Sequence, residues 1–428
     1  MRLPPQPREH IDRAQVVRFS FEGRPIEGYA GETVGSALFA SGRRVFSRSF
    51  KYHRPRGLLC CAGNCPNCLM TVDGVPNVRV CVEPAREGAR VSAQNVLGSL
   101  DRDLLNVVDR IGGPFTPVGF YYRTMIRPRW AWPLYERFLR NVAGLGRVQK
   151  DATRQRRFDT EHRHTQVLVI GGGRAGVAAA KAASENGEEV VLVDEGVDQL
   201  PAAAIRSPAI EVVAPARALG IYEGGLVPVD AGNVLLRFRA QRIVVATGAI
   251  EQPLVFPGND LVGVMLPSAV RRLVRDWSLR PGERAVVITA DQSGVTAATD
   301  LRDAGVDVAE VVRLRRSQPV EIVARGKRGR VRSVEIDGRS VGCDLIVMSG
   351  GRQPAYSLLA QAGARIEYDP VRGIFIPRDL PANVEAVGSV TGERSAASIP
   401  RPSFDGGSKS FVCICEDVTV KDVRRAIA

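Results

Sequence analysis

No run in the 428 residues reaches the roughly 18–20 consecutive apolar positions that a membrane-spanning helix needs, so none is expected. The opening MRLPPQPREH is polar and has no apolar h-region, which argues against a secretory signal. A cytoplasmic location is therefore expected, structural disulfides are not, and clustered thiols become candidates for metal or redox chemistry. Histidine is scarce: His10, His53, His162 and His164 are the whole set, and none is paired with a serine or cysteine in a nucleophile motif. His162 and His164 are expected to precede the first Rossmann strand in a packing or solvent role. No catalytic triad, metalloprotease helix or P-loop is visible, so no catalytic residue is assigned and electron transfer is the chemistry left. The net charge of +13 rests on arginine, which greatly outnumbers lysine and is scattered along the chain in pairs such as Arg156-Arg157, Arg271-Arg272, Arg315-Arg316 and Arg424-Arg425, without interleaved aromatics. That pattern suggests a solvated basic surface; the second reading, ahead of nucleic acid, is contact with an acidic partner subunit.

What is present points to two or three domains at this length. From Gln15 to about Arg90 the sequence reads as short strands and turns. VVRFSFEGRPIEGYAGETV predicts a hairpin turning near Glu22-Gly23, and GETVGSALFASG predicts a short helix ending at Gly42. LMTVDGV reads as a strand broken by an Asp-Gly turn, and NVRVCV as another strand. From about Leu100 to His164, aromatic and proline-rich sequence without a clear period reads as a connector lying against the domains. TQVLVIGGGRAGVAAAKAASENGEEVVLVDEG then gives strand, glycine turn, helix and strand, and ERAVVITADQSGVTAATDLRDAGVDVAEVV repeats that order.

Gly171, Gly173 and Gly176 form GxGxxG between a predicted strand and helix. The first glycine permits the tight turn, the second lets backbone approach a pyrophosphate, and the third lets helix pack on strand. Asp194 ends the following strand about 20 residues on, where a carboxylate accepts from ribose hydroxyls, and Glu195 adds negative charge that favours FAD or NAD over NADP. Gly172, Arg174 and Ala175 complete the turn, with Arg174 placed either toward a phosphate or in solvent. Thr247 and Gly248 in IVVATGA, and Gly388 in NVEAVGSVTG, resemble segments that close on the cofactor in two-dinucleotide flavoprotein reductases. Those reductases carry Gly-Asp where this sequence has Gly388-Ser389. The second repeat keeps only Gly294 of its motif, and Asp291 would repel a pyrophosphate, so a structural role is favoured over nucleotide binding.

Four cysteines fall within LLCCAGNCPNCLM. Cys60, Cys65, Cys68 and Cys81 read C-x4-C-x2-C with a distant fourth, the spacing of plant-type [2Fe-2S] loops. A zinc ribbon would need a second CxxC, and plain core thiols are the remaining reading. Cys61 leaves one residue too few before Cys65 and is expected not to be a ligand. Cys343 reads as a buried strand-end residue. Cys413 and Cys415 form CxC, which alone cannot complete a metal site.

In order, the cysteine loop preceded by SFKYHRPRG, then GFYYRT, HTQVLVIGGGRAGVAAA, CDLIVMSGGRQP and SFVCICEDVTVKDVR resemble the α subunit of heterotetrameric sarcosine oxidase. They also resemble the large subunits of hydrogen cyanide synthase and of opine and hydroxyproline dehydrogenases. The resemblance covers nearly all of the chain. Sarcosine oxidase α subunits continue through a folate-binding half and generally lack the cluster cysteines, which aligns this chain with the cluster-bearing relatives. In those relatives later cysteines complete the CxC, so a short subunit or a truncated reading frame is expected here.

The resemblance implies an α/β with α+β chain: an N-terminal β-grasp ferredoxin-like domain followed by a two-dinucleotide-binding, Rossmann-like flavoprotein reductase fold. The expected parts are a [2Fe-2S] ferredoxin-like domain at 1–98 and a connector at 99–163. A first FAD- or NAD-binding Rossmann domain follows at 164–250 and 376–404, with a second Rossmann-like domain at 251–375 and an incomplete CxC segment at 405–428. The expected function is an electron-transfer subunit of a heteromeric amine or amino-acid oxidase or dehydrogenase, relaying electrons through a dinucleotide site and a [2Fe-2S] cluster. The amine would be oxidised on a flavoprotein β subunit, with further small subunits allowed. The alternatives are a stand-alone NAD(P)H-dependent flavin and iron-sulfur reductase, or a non-catalytic nucleotide-binding scaffold.

Overall fold

The computed structural model describes residues 2–7, 9–106, 127–143, 159–196, 209–315, 317–392, 402–403 and 409–427. Most of the expected connector, including GFYYRT, lies outside the described residues. The chain divides into two compact units. One comprises Met1–Arg154, Pro253–Gly350 and Pro400–Ala428; the other comprises Gln155–Gln252 and Gly351–Ile399.

The first unit begins with a hairpin, Asp12–Phe21 and Arg24–Ala30. Its turn residues Glu22 and Gly23 sit at φ 51° and 73°, the left-handed pair that matches strand twist in a two-residue loop. A second hairpin, Leu69–Val72 and Val75–Arg79, turns in the same way at Asp73-Gly74. Strand Arg90–Ser92 lies between the two hairpins, parallel to the first and antiparallel to the second, completing a five-stranded sheet. Helix Val34–Ala40 starts at a reciprocal cap, in which Thr33 Oγ1 accepts from Ser36 N–H and Ser36 Oγ accepts from Thr33 N–H. Cys81 follows the strand Val75–Arg79 rather than lying within it, because pairing ends at Arg79.

The same unit holds a four-stranded parallel sheet in the order Val264–Met265, Leu345–Ser349, Arg284–Thr289, Asp307–Arg313. Helices Pro267–Arg275 and Gln292–Asp303 pack with it. Leu38, Phe39 and Met70 of the N-terminal sheet layer share one apolar cluster with Met265, Val270, Leu273 and Val287. The ferredoxin-like and second Rossmann-like parts therefore share a single core.

The second unit is built on the strand order Ile210–Val213, Val190–Val193, Asp159–Ile170, Val234–Val245, with Val384–Ala386 also parallel to the last. An antiparallel pair, Arg217–Ala218 and Leu226–Asp230, extends the sheet. Residues 351–375 pack here, where Arg352–Pro354 pairs with Ala249–Glu251, rather than with the second Rossmann-like part. His162 and His164 lie inside the strand Asp159–Ile170 instead of ahead of it, with exposed side chains opposite Arg237 and Arg239. The strand is extended because its outer half pairs with the unusually long strand Val234–Val245.

Candidate functional site

The cysteine loop follows a short antiparallel pair, Ser47–Arg48 and Pro55–Arg56. Cys60, Cys65, Cys68 and Cys81 are all buried, at 6% exposure or less, and all eight cysteines of the chain are free thiols. Cys60 and Cys65 Sγ are 3.3 Å apart. Thiols of Cys65 and Cys81 hydrogen-bond to Cys60 and, against the effect of burial, pull it down to about 2, helped by the Ala62 and Asn64 N–H groups. Donation to Cys60 and to Cys68, together with burial, pushes the Cys81 thiol far up. These contacts bring all four spaced thiols into one group, with backbone N–H groups directed at sulfur. Among the described residues no three His, Cys, Asp or Glu side chains surround a single-ion position.

Cys61 has different surroundings. It is buried to 1% exposure, its backbone is left-handed at φ 46°, and burial followed by the charges at Cys60 and Cys68 raises its thiol well above the usual range.

A feature not anticipated from the sequence is the seat of the C-terminal segment. Arg54 and Arg56, from the SFKYHRPRG stretch, both pair with the fully buried Asp417 carboxylate, and Arg54 also meets Asp260 at 2.7 Å. Arg56 donates to the Ile414 and Cys415 carbonyls at 2.9 and 2.7 Å. Lys51 gives its N–H to Asp417 and its ammonium to Asp422. The density of cations in KYHRPRG was the available signal, but their acidic partners lie more than 350 residues away for Asp417 and Asp422. Cys415 packs against the apolar cluster that contains Cys60 and Cys65. Cys413 is drawn down to about 6 by the Cys415 thiol, against burial and with the Glu416 N–H.

In the second unit the three glycines of GxGxxG meet three different surroundings. A Cβ on Gly171, at φ 111°, would stand 2.4 Å from the Ala246 carbonyl; one on Gly176 would stand 1.8 Å from the Gly171 carbonyl; one on Gly173 would meet nothing within 4 Å. The turn is therefore tight behind and open in front. Helix Arg174–Glu185 starts at Gly173 with no side chain capping it, which leaves its first N–H groups available to an anion. Arg174 is exposed on that first turn. The Asp194 carboxylate accepts from Gly172 N–H at 2.6 Å and Gly196 N–H at 2.8 Å. Glu195 turns outward to Arg217 at 2.8 Å, a mostly exposed pair of little energetic weight.

A Cβ on Gly388, at φ 77°, would come within 2.5 Å of the Ala175 methyl, so this segment closes against the same helix start. Thr247 Oγ1–H donates to the Ala355 carbonyl at 3.0 Å, and Gly248 leaves open space beside it. The structure thus gathers Gly171 to Gly176, Asp194 and Gly388 at one end of the parallel strands, with the Ala246-Thr247 peptide next to Gly171. The turn after strand Arg284–Thr289 is closed instead. Asp291 caps helix Gln292–Asp303, its carboxylate taking Ser293 N–H, Ser293 Oγ–H and Ser349 Oγ–H at 3.0, 2.5 and 2.7 Å.

Residues 14–96 match the family model of the 2Fe-2S iron-sulfur cluster binding domain, and residues 165–321 that of the pyridine nucleotide-disulphide oxidoreductases. These domains support a [2Fe-2S] cluster and an FAD or NAD cofactor. The sarcosine oxidase alpha subunit of Rhizobium meliloti (strain 1021) is 32% identical over 452 residues, covering 91% of this chain and 45% of that protein. An opine oxidase subunit of the same strain is 26% identical over 28% of this chain and 32% of its own length. The crystal structure of L-proline dehydrogenase from P. horikoshii has the same fold, with a TM-score of 0.63 at 21% identity, over 90% of this chain and 71% of that one. The chain spans about half the length of the sarcosine oxidase subunits it matches. The chain is thus similar over nearly all of its length to the sarcosine oxidase α subunits and joins a ferredoxin-like iron-sulfur domain to a dinucleotide-binding oxidoreductase fold.

Proposed function

We propose that this chain is the electron-transfer subunit of a heteromeric amine or amino-acid oxidase or dehydrogenase of the sarcosine, hydroxyproline or opine type, whose substrate is oxidised on a flavoprotein partner subunit. The observation that carries this reading is the presence in one chain of four gathered, buried thiols and an open, uncapped GxGxxG turn. The relatives are themselves named as subunits. Cys60, Cys65, Cys68 and Cys81 hold the cluster, and Cys61 does not. Gly171, Gly172, Gly173, Arg174, Ala175 and Gly176 form the phosphate cradle, and Asp194 takes the ribose hydroxyls. Thr247, Gly248 and Gly388 shape the remaining wall. When bound, a flavin would take up two electrons together and give them up one at a time, and a [2Fe-2S] cluster would exchange them singly, so together they would connect a two-electron oxidation to a one-electron acceptor. Ser389 supplies no carboxylate to a ribityl chain, so Asp194 and the helix start carry dinucleotide binding, and NAD fits them as well as FAD.

The Asp291 cap weighs against a stand-alone NAD(P)H reductase, because it puts a carboxylate where a second pyrophosphate would sit. Native mass spectrometry of the purified complex with cofactor extraction tests the proposal. One [2Fe-2S] cluster and one dinucleotide on this chain, together with a flavoprotein partner, are expected. A purified chain with neither iron-sulfur absorbance nor dinucleotide would sink it.

A further inference from the structure

The cysteine loop is gripped through three consecutive carbonyls by helix Pro267–Arg275 and the Leu266 that caps it, with Arg272 acting from the last turn. Leu266 N–H donates to the Leu59 carbonyl at 2.8 Å, Ser268 Oγ–H to the Cys60 carbonyl at 3.0 Å, and Arg272 Nη1–H to the Cys61 carbonyl at 3.1 Å. Cys61 is where the loop adopts its left-handed turn, a conformation uncommon for a residue with a side chain. On the same helix Arg271 and Arg275 spend their charges on Asp300, at 2.9 and 2.5 Å, whereas Arg272 reaches the loop. The Rossmann-like half whose own turn is closed by Asp291 thus supplies the backing of the cysteine loop.

We propose that Arg272 is a positioning residue for the cluster: it fixes the loop at Cys61, and its charge raises the reduction potential of a cluster held by Cys60, Cys65, Cys68 and Cys81. This rests on the cluster assignment proposed above. A [2Fe-2S] centre on four thiolates is anionic and gains one more negative charge when it accepts an electron. A half-buried cation beside the loop therefore stabilises the reduced form more than the oxidised one.

The test is a spectroelectrochemical titration of the iron-loaded full chain, with iron content and visible circular dichroism measured on the same samples. R272Q is expected to keep wild-type iron while the oxidised-to-reduced equilibrium shifts about tenfold toward oxidised, which is about 59 mV more negative for a one-electron couple. R272K, which keeps the charge, is expected to stay near the wild-type midpoint. An unchanged midpoint in iron-replete R272Q, or an equal shift in R272K, overturns the proposal. Should R272Q lose its iron, R272K decides: iron and midpoint both kept support the role of the charge, whereas iron lost in both variants makes Arg272 a packing residue and overturns it. A wild-type chain without a [2Fe-2S] spectrum would overturn the ligand assignment itself, so the two failures are distinguishable.

Discussion

Cys60 and Cys61 are neighbours in sequence with opposite electrostatic surroundings. The first receives thiol and backbone donors; the second faces apolar side chains and like charge. Cys60→Ser and Cys65→Ser are expected to lose bound iron and the visible circular dichroism of the cluster, while Cys61→Ala keeps both. Iron retained in Cys60→Ser and lost in Cys61→Ala would reverse the assignment. The glycines of the dinucleotide turn separate in the same way. Gly173→Ala places its methyl in open space, so unfolding in urea should change by about 1 kcal/mol or less, while bound dinucleotide per chain falls. Gly176→Ala forces a methyl into the Gly171 carbonyl and should cost about 1–3 kcal/mol of stability. Equal effects of the two substitutions on stability would contradict these roles.

Among the elements, the C-terminal pair Phe411–Cys413 and Val418–Thr419 is held less by its own two-stranded pairing than by the cations of the 51–56 stretch. Burial by itself would raise the Asp417 carboxyl, but Arg54 and Arg56 beside it hold it below the ordinary aspartate value of 3.8. A carboxylate depressed in the folded state contributes stability that is fully present above its unfolded value and is lost as the pH falls through the lower folded one. Asp417→Asn leaves Arg56 and part of Arg54 unpaired in the interior and should cost about 3–5 kcal/mol at neutral pH. In thermal unfolding, the gap between variant and wild type should narrow as the pH drops below 3.8. A gap independent of pH would mean that packing around Phe411, not the ion network, seats the segment.

For the molecule as a whole, the closed second turn bears on where electrons enter. The full chain is expected to be reduced slowly or not at all by NADH or NADPH, and readily by amine substrate once its partner subunit is present; stopped-flow absorbance of the cluster and flavin bands reads both. Fast reduction of the isolated chain by NADH would favour the stand-alone reductase instead. No helix among the described residues is long and apolar enough to cross a membrane.

The sequence by itself determined the local chemistry. Turn signals at Glu22-Gly23 and Asp73-Gly74 became left-handed hairpin turns, because only a few residue types hold that backbone cheaply. The GxGxxG turn was legible for the same reason, since Gly171 and Gly176 answer to backbone crowding within a few residues and across one strand, while Gly173 leaves the front of the turn open. The C-x4-C-x2-C spacing was legible because a loop this short has few ways to bring its sulfurs together. Contacts distant in sequence were decided by the tertiary structure. The lengthening of the strand through His162 and His164 came from its long neighbour Val234–Val245, and residues 351–375 joined the first Rossmann unit through a pairing with Ala249–Glu251. The grip of Arg272 on the cysteine loop spans 211 residues, and the seating of Asp417 on Arg54 spans 363. No local propensity encodes such pairs; they exist because burying a charge or a carbonyl demands a partner, and the fold determines which one is near.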